Sequence, residues 1–216
     1  MELVLSLELS YGMFSSTNDC FLFATGKTEV HQLKNMMSSA TDSSHKIDIE
    51  SEEINKQCCI YMVPKKLRKV KEEAYTPKLI SIGPIHRGNS ELDMERRKQT
   101  YCDKFYRRTK KAKEDFESVI EQNEDKIRKY YAEEITLPCG EEFVKMILLD
   151  SIFIIELFLR TATRQKYEKD DYILSKPWLE EGIKHDLRLL ENQLPLFILD
   201  GLYSRGRDKG FITLAC

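Results

Sequence analysis

The 216-residue sequence has no Cys-x-x-Cys pair, no Asn-x-Ser/Thr sequon and only four histidines. Each shortage removes a class of protein. The six cysteines, at positions 20, 58, 59, 102, 139 and 216, share no repeated spacing. That pattern argues against a zinc ribbon or a disulfide scaffold and predicts reduced, intracellular thiols. His31, His45, His86 and His185 lie at no ligand spacing from one another or from a cysteine pair, so no metal centre and no other cofactor is expected. Apolar runs of membrane-spanning length without charge are also missing. The nearest, 143–159, contains Lys145, Asp150 and Glu156, which are costly in lipid, and it reads instead as a core helix. The first ten residues carry Glu2 and Glu8 and no basic region, so they do not read as a secretory signal. A cytoplasmic chain is the expectation.

What is present is material for a core: 41% hydrophobic and 10% aromatic residues. The formal charge is only −2, but its distribution is uneven. Residues 60–113 hold 16 basic and 6 acidic side chains, between two segments that are net acidic.

Residues 1–45 show no sustained period and end in the polar run Ser38–Ser44, so a disordered arm is expected there, with the folded domain over 46–216. Ile47 and Ile54 suggest an entry helix, and 60–63 an extended segment closed by Pro64. Pro77, Gly83, Pro84 and Gly88 punctuate 75–89 too often for regular structure and predict an ordered loop. Leu92, Tyr101, Phe105, Ala112, Phe116, Ile120 and Ile127 recur at helical spacing, which fits one long amphipathic helix or two. Residues 141–160 are apolar on nearly every face, the mark of a central helix. Residues 161–176 read as a charged connection. Trp178, Ile183, Leu187, Leu190, Leu194, Phe197 and Ile198 form a last apolar helical pattern, kinked or restarted at Pro195. The fold class is therefore mainly α, an irregular helical domain with ordered Pro/Gly loops. Ile212 and Leu214 near the end lack an evident cap, so the chain is expected to stop within a larger fold.

Catalytic motifs are weak. Gly26-Lys27-Thr28 resembles the end of a phosphate-binding loop, but Phe21 stands where its first glycine is required. Ser43 and Lys46 have the spacing of a Ser-x-x-Lys pair but lie in the polar arm. His86 could be presented inward by its loop, either as a hydrogen-bonding tie to the core or as a catalytic group. Asp150 and Glu156 sit in an apolar helix and must be paired if ionised, with Arg68, Arg97 and Lys98 as candidate partners. Glu191-Asn192-Gln193, a polar triplet in a Leu-rich stretch, reads as capping and cross-helix hydrogen bonding near Pro195.

The basic residues Lys65, Lys66 and Arg68, with Arg97, Lys104, Arg108 and Lys111, form a candidate interaction surface for an acidic protein or an anionic membrane. The helical members are expected on one face, opposite Tyr101, Phe105 and Ala112. Lys65 to Arg68 also fits a loose nuclear-import pattern. Nucleic-acid binding would need exposed aromatics beside these cations, whereas Tyr101 and Phe105 read as buried.

Four segments together carry a resemblance. They are Ile60, Tyr61, Val63, Pro64, Leu67 and Arg68; Ala74, Tyr75, Pro77, Ser81, Ile82, Gly83, Pro84, His86 and Gly88; Leu149, Asp150, Phe153 to Leu157; and Asp186, Leu187, Leu189 to Pro195 and Phe197. In this order they resemble the plant family called domain of unknown function 247. The resemblance implies a helical protein with no established enzymatic activity. It also implies a C-terminal half ending in a membrane anchor, which this chain would lack by truncation. Some grass members are associated with pollen self-incompatibility, which implies recognition or signalling. Arg87 stands where many members have a second histidine, so a paired-histidine site is not implied here. On this reading the chain is an interaction module, and the alternatives are an enzyme using His86 with Asp150 or Glu191, or a nucleic-acid binder through 65–113.

Overall fold

A computed structural model describes residues 60–92, 94–132, 135–162 and 171–206. The expected N-terminal arm, the entry helix, the phosphate-loop-like and Ser-x-x-Lys stretches, and Ile212 and Leu214 all lie outside the described residues. Within them the architecture is mainly α. The helices are α1 (Lys65–Arg68), α2 (Glu95–Thr109), α3 (Lys113–Glu121), α4 (Glu124–Arg128), α5 (Gly140–Ala162), α6 (Pro177–Asp186) and α7 (Leu196–Gly206), with a 3-10 turn at Glu72–Ala74.

The 23-residue α5 is the axis of the domain because it has almost no polar stripe. Phe143, Ile147, Ile152, Phe153 and Ile155 are fully buried on different sides of it. Helix α2 lies along α5, and α3 and α7 also pack on it and on each other. The buried residues of α2 are Lys98, Tyr101, Cys102, Phe105 and Thr109, at spacings of three and four. Tyr101 meets Phe153 of α5 with ring centroids 5.2 Å apart. Phe105 meets Phe116 of α3 at 5.3 Å.

The amphipathic pattern over 92–131 resolves into three helices rather than one or two. Lys110 adopts the left-handed conformation at φ 55° and ends α2, its N–H bonding Tyr106 O. Ala112 therefore lies outside the helices, and its N–H is taken by the Asp115 carboxylate at 3.1 Å to start α3. The segment before Pro64 is extended: Ile60 forms a parallel bridge with Tyr131, through Ile60 N–H to Tyr130 O (2.9 Å) and Ala132 N–H to Ile60 O (3.0 Å).

The last apolar pattern also divides. Helix α6 ends at Asp186, residues 187–195 run as turns, and α7 begins after Pro195. Trp178, which opens this apolar pattern, is 66% exposed. It follows Pro177 in the first turn of α6, and Leu179 and Ile183, four apart, define the buried stripe instead. The connection after α5 is not wholly polar, since Ile173 and Leu174 are buried, beside a buried Asp171.

Candidate functional site

Among the described residues the Pro/Gly loop has no strand to pair with, so its backbone groups need other partners. Side chains supply them. The Asp186 carboxylate, at the end of α6, accepts the N–H groups of Lys78 (3.1 Å), Leu79 (2.6 Å) and Ile80 (3.0 Å). Asn192 accepts the Ile82 N–H at 2.6 Å and donates to Ile80 O and Asp186 O, each at 3.0 Å. Asp150 of α5 accepts the Gly83 N–H at 2.9 Å. Lys98 of α2 sends one buried ammonium to Ser81 O, Glu95 and Asp150, each at 2.6 Å, which uses all three of its protons. Burial alone would lower the Lys98 pKa, but Asp150 and Glu95 outweigh it and raise it.

Gly83 is held at φ +72°, and a Cβ there would meet Gln193 O at 2.8 Å. Tyr131 donates to that same Gln193 carbonyl at 3.2 Å. The Gln193 carboxamide nitrogen closes the 187–195 turn through Leu187 O (2.8 Å) and Leu189 O (2.9 Å). Pro195 O then receives the Ile198 N–H at 3.2 Å as α7 begins.

Glu191, fully buried, locks the segment before the loop. It accepts the Val63 N–H at 2.5 Å and both oxygens meet Arg68 Nη2. His86 Nε2 lies 3.1 Å from Glu191 Oε2, close enough to favour the carboxylate although it is off the line of a good hydrogen bond. Burial works against ionising Glu191, but His86, Arg68 and the Val63 N–H prevail and hold its pKa below the usual value. Residues 60–71 form a strap clamped by Glu191 at Val63 and Arg68. Pro64 opens α1, none of whose residues is buried. Pro84 and Gly88 shape the outer turn of the loop, Gly88 at φ +81° with open space around it.

A second cluster braces α2 against α5. Arg108 binds Glu156 through Nε at 3.1 Å and Nη2 at 2.7 Å. Arg160 links Glu156 (2.7 Å) to Asp171 (2.8 Å). Asp171 also accepts the Tyr101 hydroxyl and the N–H groups of Ile173 (3.0 Å) and Leu174 (3.1 Å). Lys104 stands at the rim, 3.9 Å from Asp171.

Several pairings differ from the sequence expectation. Of the three cations proposed for Asp150 and Glu156, Lys98 does meet Asp150. Arg68 belongs to Glu191, and Arg97 lies over the Tyr172 ring, 3.6 Å from its centroid. Arg108 and Arg160 are the partners of Glu156. The basic face expected opposite Tyr101 and Phe105 does not form, because residues 101, 104, 105 and 108 are three, four and seven apart and share a side. Lys104 and Arg108 therefore turn toward buried carboxylates. Lys111, beyond the end of α2, reaches Arg205 O at 2.5 Å. Lys65 and Lys66 remain exposed. Asp171 and Arg160 were not foreseen, although an Asp two residues before an apolar pair is a recognisable turn signal.

The sequence model of a plant protein family of unknown function, DUF247, matches residues 60–213. The chain belongs to this family. The DUF247 match takes in both the strap and the loop lattice. Among curated proteins, this DUF247 chain is 39% identical over 150 residues to UPF0481 protein At3g47200 of Arabidopsis thaliana, covering 68% of the chain and 31% of the relative. It is 34% identical over 142 residues to putative UPF0481 protein At3g02645 of the same plant, covering 65% and 26%. The chain thus spans less than a third of the length of either relative. No solved structure matches it. Among the described residues, no group of His, Cys, Asp and Glu could hold a metal ion, and no helix is long and apolar enough to cross a membrane.

Proposed function

We propose that this DUF247 chain is a non-enzymatic interaction or signalling module acting at the cytoplasmic side of a membrane-associated protein. The observation that carries the reading is how the family-motif polar groups are spent. Asp150, Glu156, Glu191 and Asn192 direct their side-chain oxygens at the chain's own backbone or at neighbouring cations. A general acid or base must keep an oxygen or nitrogen for substrate. The Lys65 and Lys66 ammonium groups, by contrast, face solvent.

A second reading, an enzyme built on His86, draws on its 3.1 Å approach to Glu191. One experiment separates the two. Proximity labelling in the source plant, with Lys65→Glu/Lys66→Glu beside His86→Ala, should lose its labelled neighbours only in the lysine variant. Labelling unchanged by the lysine variant sinks the module reading. Nucleic-acid binding through the basic helix α2 has less support, because its Tyr101 and Phe105 are 1% exposed and cannot stack on bases.

A further inference from the structure

We propose that the outward side of the strap, residues 61–71, is a contact for an anionic membrane surface. Lys65, Lys66, Lys69 and Lys71 would meet lipid headgroup anions, and Tyr61, Met62 and Val70 would enter the headgroup layer. The inference rests on the interaction-module reading and names its partner.

Three observations carry it. First, the strap has a fixed orientation. Glu191 takes Val63 and Arg68 inward, and that leaves Lys65, Lys66, Lys69 and Lys71 exposed. The one cation drawn inward is neutralised, so the outer side carries charge of a single sign. Second, the lysines are interleaved with apolar surface. Val70 is 83% exposed between Lys69 and Lys71, and Tyr61 and Met62 are 42% and 41% exposed. Isolated exposed apolar residues are ordinary, but three of them within a cationic segment form the composition of an interfacial anchor. Third, from Ile60 to Lys71 the chain has no Asp, Glu, Asn, Gln, Ser or Thr.

That third point chooses between partners. Protein interfaces are depleted in lysine and rely on directional hydrogen bonding, whereas a lipid surface needs only diffuse positive charge and shallow apolar insertion. Long lysine side chains can lie along the apolar residues while their ammonium groups reach the phosphate layer. The charged complement must be anionic lipid, since zwitterionic headgroups offer the lysines no net field. Glu72 and Glu73 begin just after Lys71 and mark the end of the contact.

The test is sedimentation of the protein with vesicles of phosphatidylcholine alone, and with vesicles of equal parts phosphatidylcholine and phosphatidylserine. Binding is expected only to the second, and it should fall as salt rises. Lys65→Glu/Lys66→Glu/Lys69→Glu/Lys71→Glu should weaken it by about a hundredfold or more, and Val70→Asp by about tenfold. These five positions take no part in the Glu191 lock, so the thermal transitions of the variants should match the parent, which serves as the folding control. Equal binding to both vesicles, or binding unaltered in the four-lysine variant, overturns the proposal. Cross-linking of the strap lysines to an acidic protein with no vesicle binding also overturns it, while leaving the module reading in place. Failure of both vesicle binding and proximity labelling removes both.

Discussion

Asn192 pairs with Ile82 as a neighbouring strand would: its side-chain oxygen accepts the Ile82 N–H at 2.6 Å, and its nitrogen returns to Ile80 O at 3.0 Å. One buried carboxamide thus stands in for a backbone ladder in a loop whose prolines and glycines prevent one.

Replacing Asn192 with Leu leaves the Ile82 N–H and the Ile80 carbonyl buried without partners. The expected loss is about 2–4 kcal/mol, from two or three orphaned groups. Urea unfolding should show it as a lower midpoint with an unaltered slope.

Lys98→Met leaves Asp150 buried with its charge uncompensated, which should cost about 3–5 kcal/mol. Combining it with Asp150→Asn keeps an acceptor for the Gly83 N–H and removes the charge, so part of the loss should return. A double-mutant cycle by thermal unfolding measures the coupling, and strict additivity would contradict the pairing.

Glu191 predicts an acid sensitivity with a definite sign. Its folded pKa is lowered, so its contribution is complete above the ordinary glutamate value near about 4.3 and is lost as pH falls through the lower folded value. Asp171 is lowered too, as its hydrogen bonds with Tyr101, Leu174, Arg160 and Ile173 overcome the opposing effect of burial. Glu191→Gln should therefore flatten part of the acid limb of the stability curve, leaving the Asp171 part. An unchanged acid limb would mean that the Arg68 clamp is not coupled to folding.

Two glycines separate backbone strain from close approach. Gly83 and Gly88 both have positive φ, but only Gly83 has a carbonyl 2.8 Å from where a Cβ would sit. Alanine at 88 should cost about 1 kcal/mol, and alanine at 83 distinctly more, because backbone must move as well.

The cysteines offer a check on burial. Thiol labelling of the native protein followed by peptide mapping should modify exposed Cys139 and spare Cys102, whose thiol is buried and pushed above the ordinary value by desolvation. Rapid labelling of both would place α2 off α5.

Much of this was legible beforehand. Helix α5 shows itself because apolar residues surround it, and the loop shows itself because Pro77, Gly83, Pro84 and Gly88 deny it a regular backbone. Lys98 could be named as a partner for Asp150 because a buried acid demands a cation. Which cation serves which acid was not legible: Arg68 and Glu191 are 123 positions apart, and Arg108 and Glu156 are 48 apart. The exposure of Trp178 was not legible either, because a large apolar side chain in a first turn follows the helical period as readily as a core residue does.

By itself, the sequence determined the element types, the central helix, the irregular loop and membership in the plant family, since these follow from short-range patterning and from motifs read in order. Only the tertiary structure decided that Lys98, Lys104 and Arg108 of α2 turn toward buried carboxylates while four lysines of the strap stay exposed. The reason is that burying carboxylates requires cations beside them, and the supply is allotted by proximity in space.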